Sequence, residues 1–206
     1  MQTEVYNFEV QRKTFHLYSL AAPLIYLFLS KFVAIILLFL LAVFVLYIDT
    51  ARHYDFRIRK YIDKFFSRLM RPSEQSGTFT LSGSTFMIVG FFLTALLFSK
   101  GLAISSWFIL IISDCLAALI GIRIGKQLKN GKSLEGSIAF LVSAIFISMV
   151  VYFFIGYHTS FIIIIISSIV ATISEFYSKE LAINDNLSIP LSYCFSTVVF
   201  NFILGL

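Results

Sequence analysis

Seven stretches without Asp, Glu, Lys or Arg divide this chain: Leu17 to Ser30, Phe32 to Ile48, Gln75 to Ser99, Gly101 to Ser113, Gly136 to Tyr157, Thr159 to Ser174 and Leu187 to Leu206. Their length leaves few folds open. With 59% apolar and 13% charged residues and a mean hydropathy of +0.91, the chain is far from the roughly 25% charged residues of a soluble domain. Lipid is the alternative solvent, and a helix needs about 20 mostly apolar residues to cross it, because each backbone polar group must find its partner inside its own segment. The expectation is an all-α transmembrane bundle of about seven spans. The fourth run reaches the length only by passing through Asp114 to about Ile122, and the first is short even with Phe15 included.

The basic residues set an orientation, since cytoplasmic loops carry the excess of Lys and Arg. Counted over seven spans, fourteen of the sixteen fall on one side, and only Lys31 and Lys100 on the other. The N-terminus is therefore expected in the cytoplasm. Glu4, Glu9, Arg12, Lys13 and His16 precede the first run, which argues against a cleaved signal peptide and for a retained first span. The net charge of +5 follows from this bias and from attraction to anionic headgroups, so nucleic acid is not required as a partner. Cys115 and Cys194 lie inside apolar runs and read as small buried residues.

The pattern is that of a single domain over residues 1–206, with no internal repeat of the kind found in inverted-repeat transporters. In its one long loop, Ala51, Tyr54, Ile58, Tyr61, Ile62, Phe65 and Leu69 recur at helical spacing beside Arg57, Lys60, Lys64, Arg68 and Arg71. That arrangement predicts an amphipathic interfacial helix on the cytoplasmic surface, ended by Pro72 and Ser73 to Gly77.

An ionisable residue within a span costs about 2.5 to 3.5 kcal/mol on insertion scales and marks function by default, which singles out Asp114. Ala118, Gly121 and Gly125 follow it at spacings of four, three and four, on one helix face. Such a face could admit a ligand to the backbone beside Arg123 and Lys126, or it could simply be close helix packing through small residues. Next, Gly131-Lys132-Ser133-Leu134-Glu135-Gly136 places a lysine, an N-cap serine and a carboxylate where the fifth span begins, and a helix N-terminus with a lysine suits a phosphate. It is not a Walker A loop, because Gly125 is one place off and no strand precedes it.

The segment from Glu175 to Pro190 gathers Glu175, Glu180, Asp185, Asn184 and Asn186, oxygen ligands of the kind Mg2+ takes together with substrate phosphates. Near the N-terminus, Arg12 and His16 stand four apart on one helix face, as a phosphate clamp or proton acceptor would require.

Taken together these segments resemble the dolichol kinase, phytol kinase and CTP-dependent diacylglycerol kinase family. The matching residues are Glu9 with Arg12, Lys13 and His16; Asp114 with Ala117, Ala118, Gly121, Gly125 and Lys126; Lys132 and Ser133 with Glu135, Gly136 and Ser137; and Glu175 with Asp185, Asn186, Leu187, Ile189 and Pro190. The resemblance covers residues 9 to 191. It implies phosphoryl transfer from CTP, with Mg2+ or another divalent cation, to the hydroxyl of a membrane lipid alcohol. On that resemblance Asp114, Glu135 and Asp185 are assigned to the metal. Arg12, Lys13, Gly121, Gly125, Lys126, Lys132, Ser133, Gly136 and Asn186 are assigned to nucleotide and phosphates. Glu175 or His16 would accept the hydroxyl proton, with Asp114 in the catalytic set.

A phosphatidate cytidylyltransferase shares the middle motifs, but this chain has no stretch like that family's C-terminal Gly-His-Gly-Gly-x-x-Asp-Arg signature. A membrane transporter using Asp114 as an ion site is the alternative of a different class. Neither the acceptor alcohol, the preference for CTP over ATP, nor an oligomeric state follows from these residues.

Overall fold

A computed structural model describes residues 2–66, 79–128 and 130–205. Among them the chain is all-helical, with no strand. The helices are α1 Gln2–Tyr18, α2 Ala21–Phe28, α3 Lys31–Tyr54, α4 Phe56–Phe66, α5 Gly83–Leu97, α6 Lys100–Arg123, α7 Leu134–Ile155, α8 Phe161–Tyr177 and α9 Asp185–Leu204.

Four of these, α3, α6, α7 and α9, are long and apolar enough to cross a membrane, while α5 and α8 are shorter apolar helices. The surface agrees with an integral membrane protein. Phe28, Phe154 and Phe202 are each at least 85% exposed, and aromatic surface of that kind is tolerated in bulk only against lipid or a partner.

Most of the long apolar helices start where a side-chain oxygen can hold a free N–H group. Ser30, Ser82, Ser133 and Ser160 accept from the backbone N–H three residues on, opening α3, α5, α7 and α8; Asn184 plays the same part for α9 through the Asn186 N–H. Such caps are worth about 1 kcal/mol each.

The helices run antiparallel between two ends. At one end Lys31 Nζ donates to the Phe98 carbonyl (2.6 Å), and Lys100 Nζ to the carbonyls of Leu27 and Leu29 (2.9 and 2.8 Å). At the other, the end of α3 meets the start of α5, and the start of α9 meets the start of α5 through Asn186 Nδ2 and the Gly83 carbonyl (2.8 Å). The segment α1–α2, broken at Ser19 and Leu20, lies antiparallel along α6: Lys13 reaches Asp114, the Tyr26 ring stacks on Trp107 (centroids 5.0 Å), and Leu27 and Leu29 reach Lys100. Trp107 is also stacked on Phe91 of α5 and belongs to the buried core.

Three expected boundaries shift. In the apolar run from Gln75, residues 75–78 lie outside the described set, 79–82 are not helical, and α5 begins at Gly83. α3 continues through Ala51 to Tyr54, so these two belong to it; Asp55 breaks the chain before α4, its Oδ1 taking the Arg57 N–H (2.7 Å). Arg68, Leu69, Arg71, Pro72 and the following residues to Gly77 lie outside the described residues. Finally, the last apolar run, expected from Leu187, is entered earlier: Asp185 and Asn186 begin α9 and Pro190 lies inside it.

Candidate functional site

Asp114 is 4% exposed, although it sits within a 24-residue apolar helix. Its direction comes from the turn before it. Ile109–Ser113 is a π-helical turn inside α6, after which α-helix resumes at Asp114. Single π turns of this kind recur at functional sites, because the extra residue rotates the downstream half of the helix relative to the upstream half. The carboxylate is thereby turned toward α1, where Lys13, 2% exposed, donates to Oδ2.

One turn along α1, His16 feels the charges of Asp114, Lys13 and Arg12 and is hydrogen-bonded to the Leu110 backbone. Its Nε2 is buried with no hydrogen-bond partner. Burial lowers the imidazole pKa below the usual 6.5, and the Asp114 charge only partly opposes it. A neutral ring that gives its one N–H to a carbonyl keeps a lone pair on the other nitrogen.

Lys132 is brought in by the connection between α6 and α7. Gly131 adopts φ +76°, a left-handed conformation favoured by glycine, and a side chain there would run into Lys179 Nζ. Asn130 Oδ1 accepts from the Lys132 N–H (3.0 Å), Asn130 Nδ2 donates to Glu180 (2.9 Å), and Lys179 Nζ holds the Asn130 carbonyl (2.8 Å). So braced, the Lys132 ammonium donates to Glu175 Oε1 at the end of α8 and lies 3.9 Å from Asp185 Oδ2 at the start of α9. Burial opposes its charge, but Glu175, Asp114 and Asp185 more than offset that, and its pKa is raised above the usual lysine value. Glu175 is 2% exposed, and its second oxygen is buried with no hydrogen-bond partner.

Lys13, His16, Asp114, Lys132, Glu175 and Asp185 thus come from four helices and one connection to a single end of the bundle. Chemically, this is a buried set of ammonium–carboxylate pairs with two unpartnered acceptors. Asn186 belongs to its wall, tied to Gly83.

The small residues expected to border a ligand do another task here. A methyl on Gly136 would stand 2.7 Å from the Ala117 carbonyl, and one on Gly121 would stand 2.7 Å from Ser133 Oγ; Gly125 is likewise closed off by Ser133. These positions hold α6 tightly against α7, and Ser133 Oγ is engaged as the cap of α7 through the Gly136 N–H (3.0 Å). Glu135 is directed to the Lys126 N–H (3.1 Å) rather than to Asp114 or Asp185. Lys126 is exposed, and Arg12 is half-buried beside His16. Among the described residues no three of His, Cys, Asp and Glu gather as a ready metal cage.

One buried charge pair was not anticipated from the sequence. Asp49, 5% exposed near the end of α3, accepts from the Ser82 N–H (2.6 Å) and Thr85 Oγ1 (2.8 Å) and pairs with Arg52 (2.7 Å). It pins the start of α5, and so the Gly83 carbonyl on which Asn186 rests. Asp49 ends the apolar run Phe32 to Ile48, and that position was its only signal.

Compared with known proteins, the chain is 57% identical over 204 residues to "Uncharacterized protein RP860" of Rickettsia prowazekii (strain Madrid E), covering 99% of this chain and all of that protein. It is also 36% identical over 85 residues to "Uncharacterized protein MJ1137" of Methanocaldococcus jannaschii, covering 41% of this chain and 40% of that protein. No family model and no solved structure matches the chain.

Proposed function

This chain belongs to the same family as the Rickettsia protein RP860, and we propose for it the activity of a membrane lipid kinase that transfers the terminal phosphoryl group of a nucleotide, CTP by resemblance, to the hydroxyl of a lipid alcohol. The observation that carries this reading is the convergence at one end of the bundle of the ion pairs Lys13–Asp114 and Lys132–Glu175–Asp185, whose partners lie up to 101 residues apart in the chain. Phosphoryl transfer needs little covalent help from a protein; it needs positioning and charge neutralisation, and this set offers both.

In the proposed reaction the lipid hydroxyl oxygen attacks the terminal phosphorus and its bond to the bridging oxygen breaks, so that nucleoside diphosphate leaves. The hydroxyl proton goes to His16 Nε2, a buried acceptor without a partner. Lys13 and Lys132 turn from their carboxylates to the phosphates as these arrive, and Glu175 guides Lys132. Carboxylates freed in this exchange suit a divalent cation, which takes one or two of them beside substrate phosphates; Asp114 and Asp185 would hold it, and it would neutralise developing charge. Glu135, committed to the Lys126 N–H, is left out of that role.

The same reading puts seven crossing segments in the membrane: residues 17–30 of the α1–α2 region, then α3, α5, α6, α7, α8 and α9. Their antiparallel contacts support it. The Lys13 and Lys132 end then faces the cytoplasm, by the distribution of Lys and Arg, and α4 with Arg57, Arg59, Lys60 and Lys64 lies along that surface.

The deciding experiment uses purified protein in lipid nanodiscs with CTP labelled on its terminal phosphate, Mg2+, and polyprenol, phytol or diacylglycerol. Label is expected in one alcohol, with CDP released, and Asp114→Asn should keep the fold and lose more than about 99% of turnover, on the order of the hundredfold-plus loss typical of a removed charge-stabilising group. Near-normal turnover by that variant sinks the assignment. Release of pyrophosphate instead of CDP would mean a cytidylyltransferase, and no nucleotide binding at all would favour a transporter.

A further inference from the structure

Next to this cluster, the connections leading into α5 and α9 enclose an open groove of about 440 Å3, lined by Phe79, Leu81 and Phe86 on one side and Ile183, Asn184 and Asp185 on the other. We infer that this groove receives the base and sugar of the nucleotide donor, so that the donor lies with its nucleoside between α5 and α9 and its phosphates at Lys132. The inference rests on the nucleotide-dependent reading above.

Three features point this way. Continuity comes first: Asp185 borders the groove and lies 3.9 Å from Lys132 Nζ, so one molecule can occupy both. Lys179, also on the groove wall, ties it to the phosphate side by holding the Asn130 carbonyl (2.8 Å), while Asn130 Oδ1 fixes the Lys132 backbone.

Second, the lining pairs apolar rings with a polar edge, as a nucleobase requires: flat faces to stack on and donors or acceptors in its plane. The Phe79 ring is braced against His53 (centroids 4.9 Å). Asn184 uses Oδ1 to cap α9 through the Asn186 N–H (3.0 Å), and its Nδ2 takes no part in that cap.

The third feature is depth. Phe86 lies in the first turn of α5 and Asp185 is the first residue of α9, while the other four named residues belong to connections. The tail of a lipid alcohol would need a path along the helices toward the middle of the bilayer, which a groove confined to the connections does not provide. A compact planar group fits it.

The test measures binding of two probes, CTP and inorganic tripolyphosphate, each with Mg2+, to the purified protein and to Phe86→Leu and Asn184→Ser. Asn184→Ser keeps a capping oxygen, so α9 stays capped, and it removes the amide donor without adding charge beside the phosphates. Both variants should weaken CTP by about tenfold, the scale of one lost stacking or base contact, and leave tripolyphosphate unchanged, since that probe reaches only the lysines. Unchanged CTP affinity in both folded variants overturns the inference while leaving the kinase reading intact. So does a rise in the KM for the lipid alcohol with CTP affinity held. A wild-type protein that binds neither probe overturns the kinase reading, and this inference falls with it.

Discussion

The two ends of the bundle handle their lysines in opposite ways. At one, Lys31 and Lys100 donate to backbone carbonyls at the ends of neighbouring helices, where the helix dipole already favours a cation. At the other, Lys13 and Lys132 are held by the carboxylates of Asp114, Glu175 and Asp185. A carbonyl is a fixed acceptor that stays with its helix. A carboxylate is an anion that another anion or a cation can relieve of its partner, so only the second end is built to exchange its contacts for those of a charged ligand. One residue type thus has a structural task at one end and a candidate chemical one at the other.

The sharpest way to break this contrast is to remove one lysine from each end. Lys132→Ala should reduce lipid phosphorylation by more than about a hundredfold, whereas Lys100→Ala should leave turnover per folded molecule unchanged and lower stability by roughly 1.5 to 3 kcal/mol through the lost bonds of a charged donor. Initial rates and thermal unfolding in the same detergent check both. Equal losses of activity would erase the distinction.

A somewhat smaller effect is expected at the α6–α7 contact. Gly136→Ala puts a methyl 2.7 Å from a backbone oxygen that has little room to move, so stability should fall by about 1 to 3 kcal/mol. If the variant instead lost nucleotide affinity with unfolding unchanged, these glycines would border ligand after all.

pH sharpens the comparison further. Because burial holds the His16 pKa below 6.5, the ring is neutral and able to accept a proton at pH 7, and the rate should decline only as pH falls through that lowered value. The same sign applies to stability: a depressed histidine contributes fully above about 6.5 and loses its contribution as acid protonates it. His16→Gln should abolish that limb of the rate profile along with most of the activity. A limb that persists unchanged assigns it to another group.

The smallest expected effect is at Ala182, whose φ of +54° is left-handed and unfavourable for a residue with a Cβ. Ala182→Gly should raise stability by up to about 1 kcal/mol, seen as a higher unfolding midpoint.

Helical segments were legible because each apolar run is local and its charges sit at its ends; the passage of the fourth run through Asp114 to the region of Ile122 agrees with α6 ending at Arg123. The Ser133 cap was legible for the same reason. Asp114, Lys132, Glu175 and Asp185 stood out as polar residues at the edges of, or inside, apolar runs, yet which lysine would face which acid was not readable, because partners such as Lys13 and Asp114 lie on helices that only tertiary packing brings together. Asp49 went unnoticed for that reason: its partners Ser82 and Thr85 are more than thirty residues away. The spacing of Ala118, Gly121 and Gly125 announced a close approach without saying of what, and in the structure it is Ser133 that comes near both glycines.

The π turn at Ile109–Ser113 lets one helix answer two demands that a regular spiral could not meet together. Upstream, Trp107 must keep its place between Tyr26 and Phe91; downstream, Asp114 must look toward Lys13. Because such a turn takes up one residue more than an ordinary α-helical turn, excising a single isoleucine from it would return the helix to regular pitch and leave Asp114 still facing Lys13, whereas holding the present sequence to a regular spiral throughout would swing the acid about 100° away from its lysine.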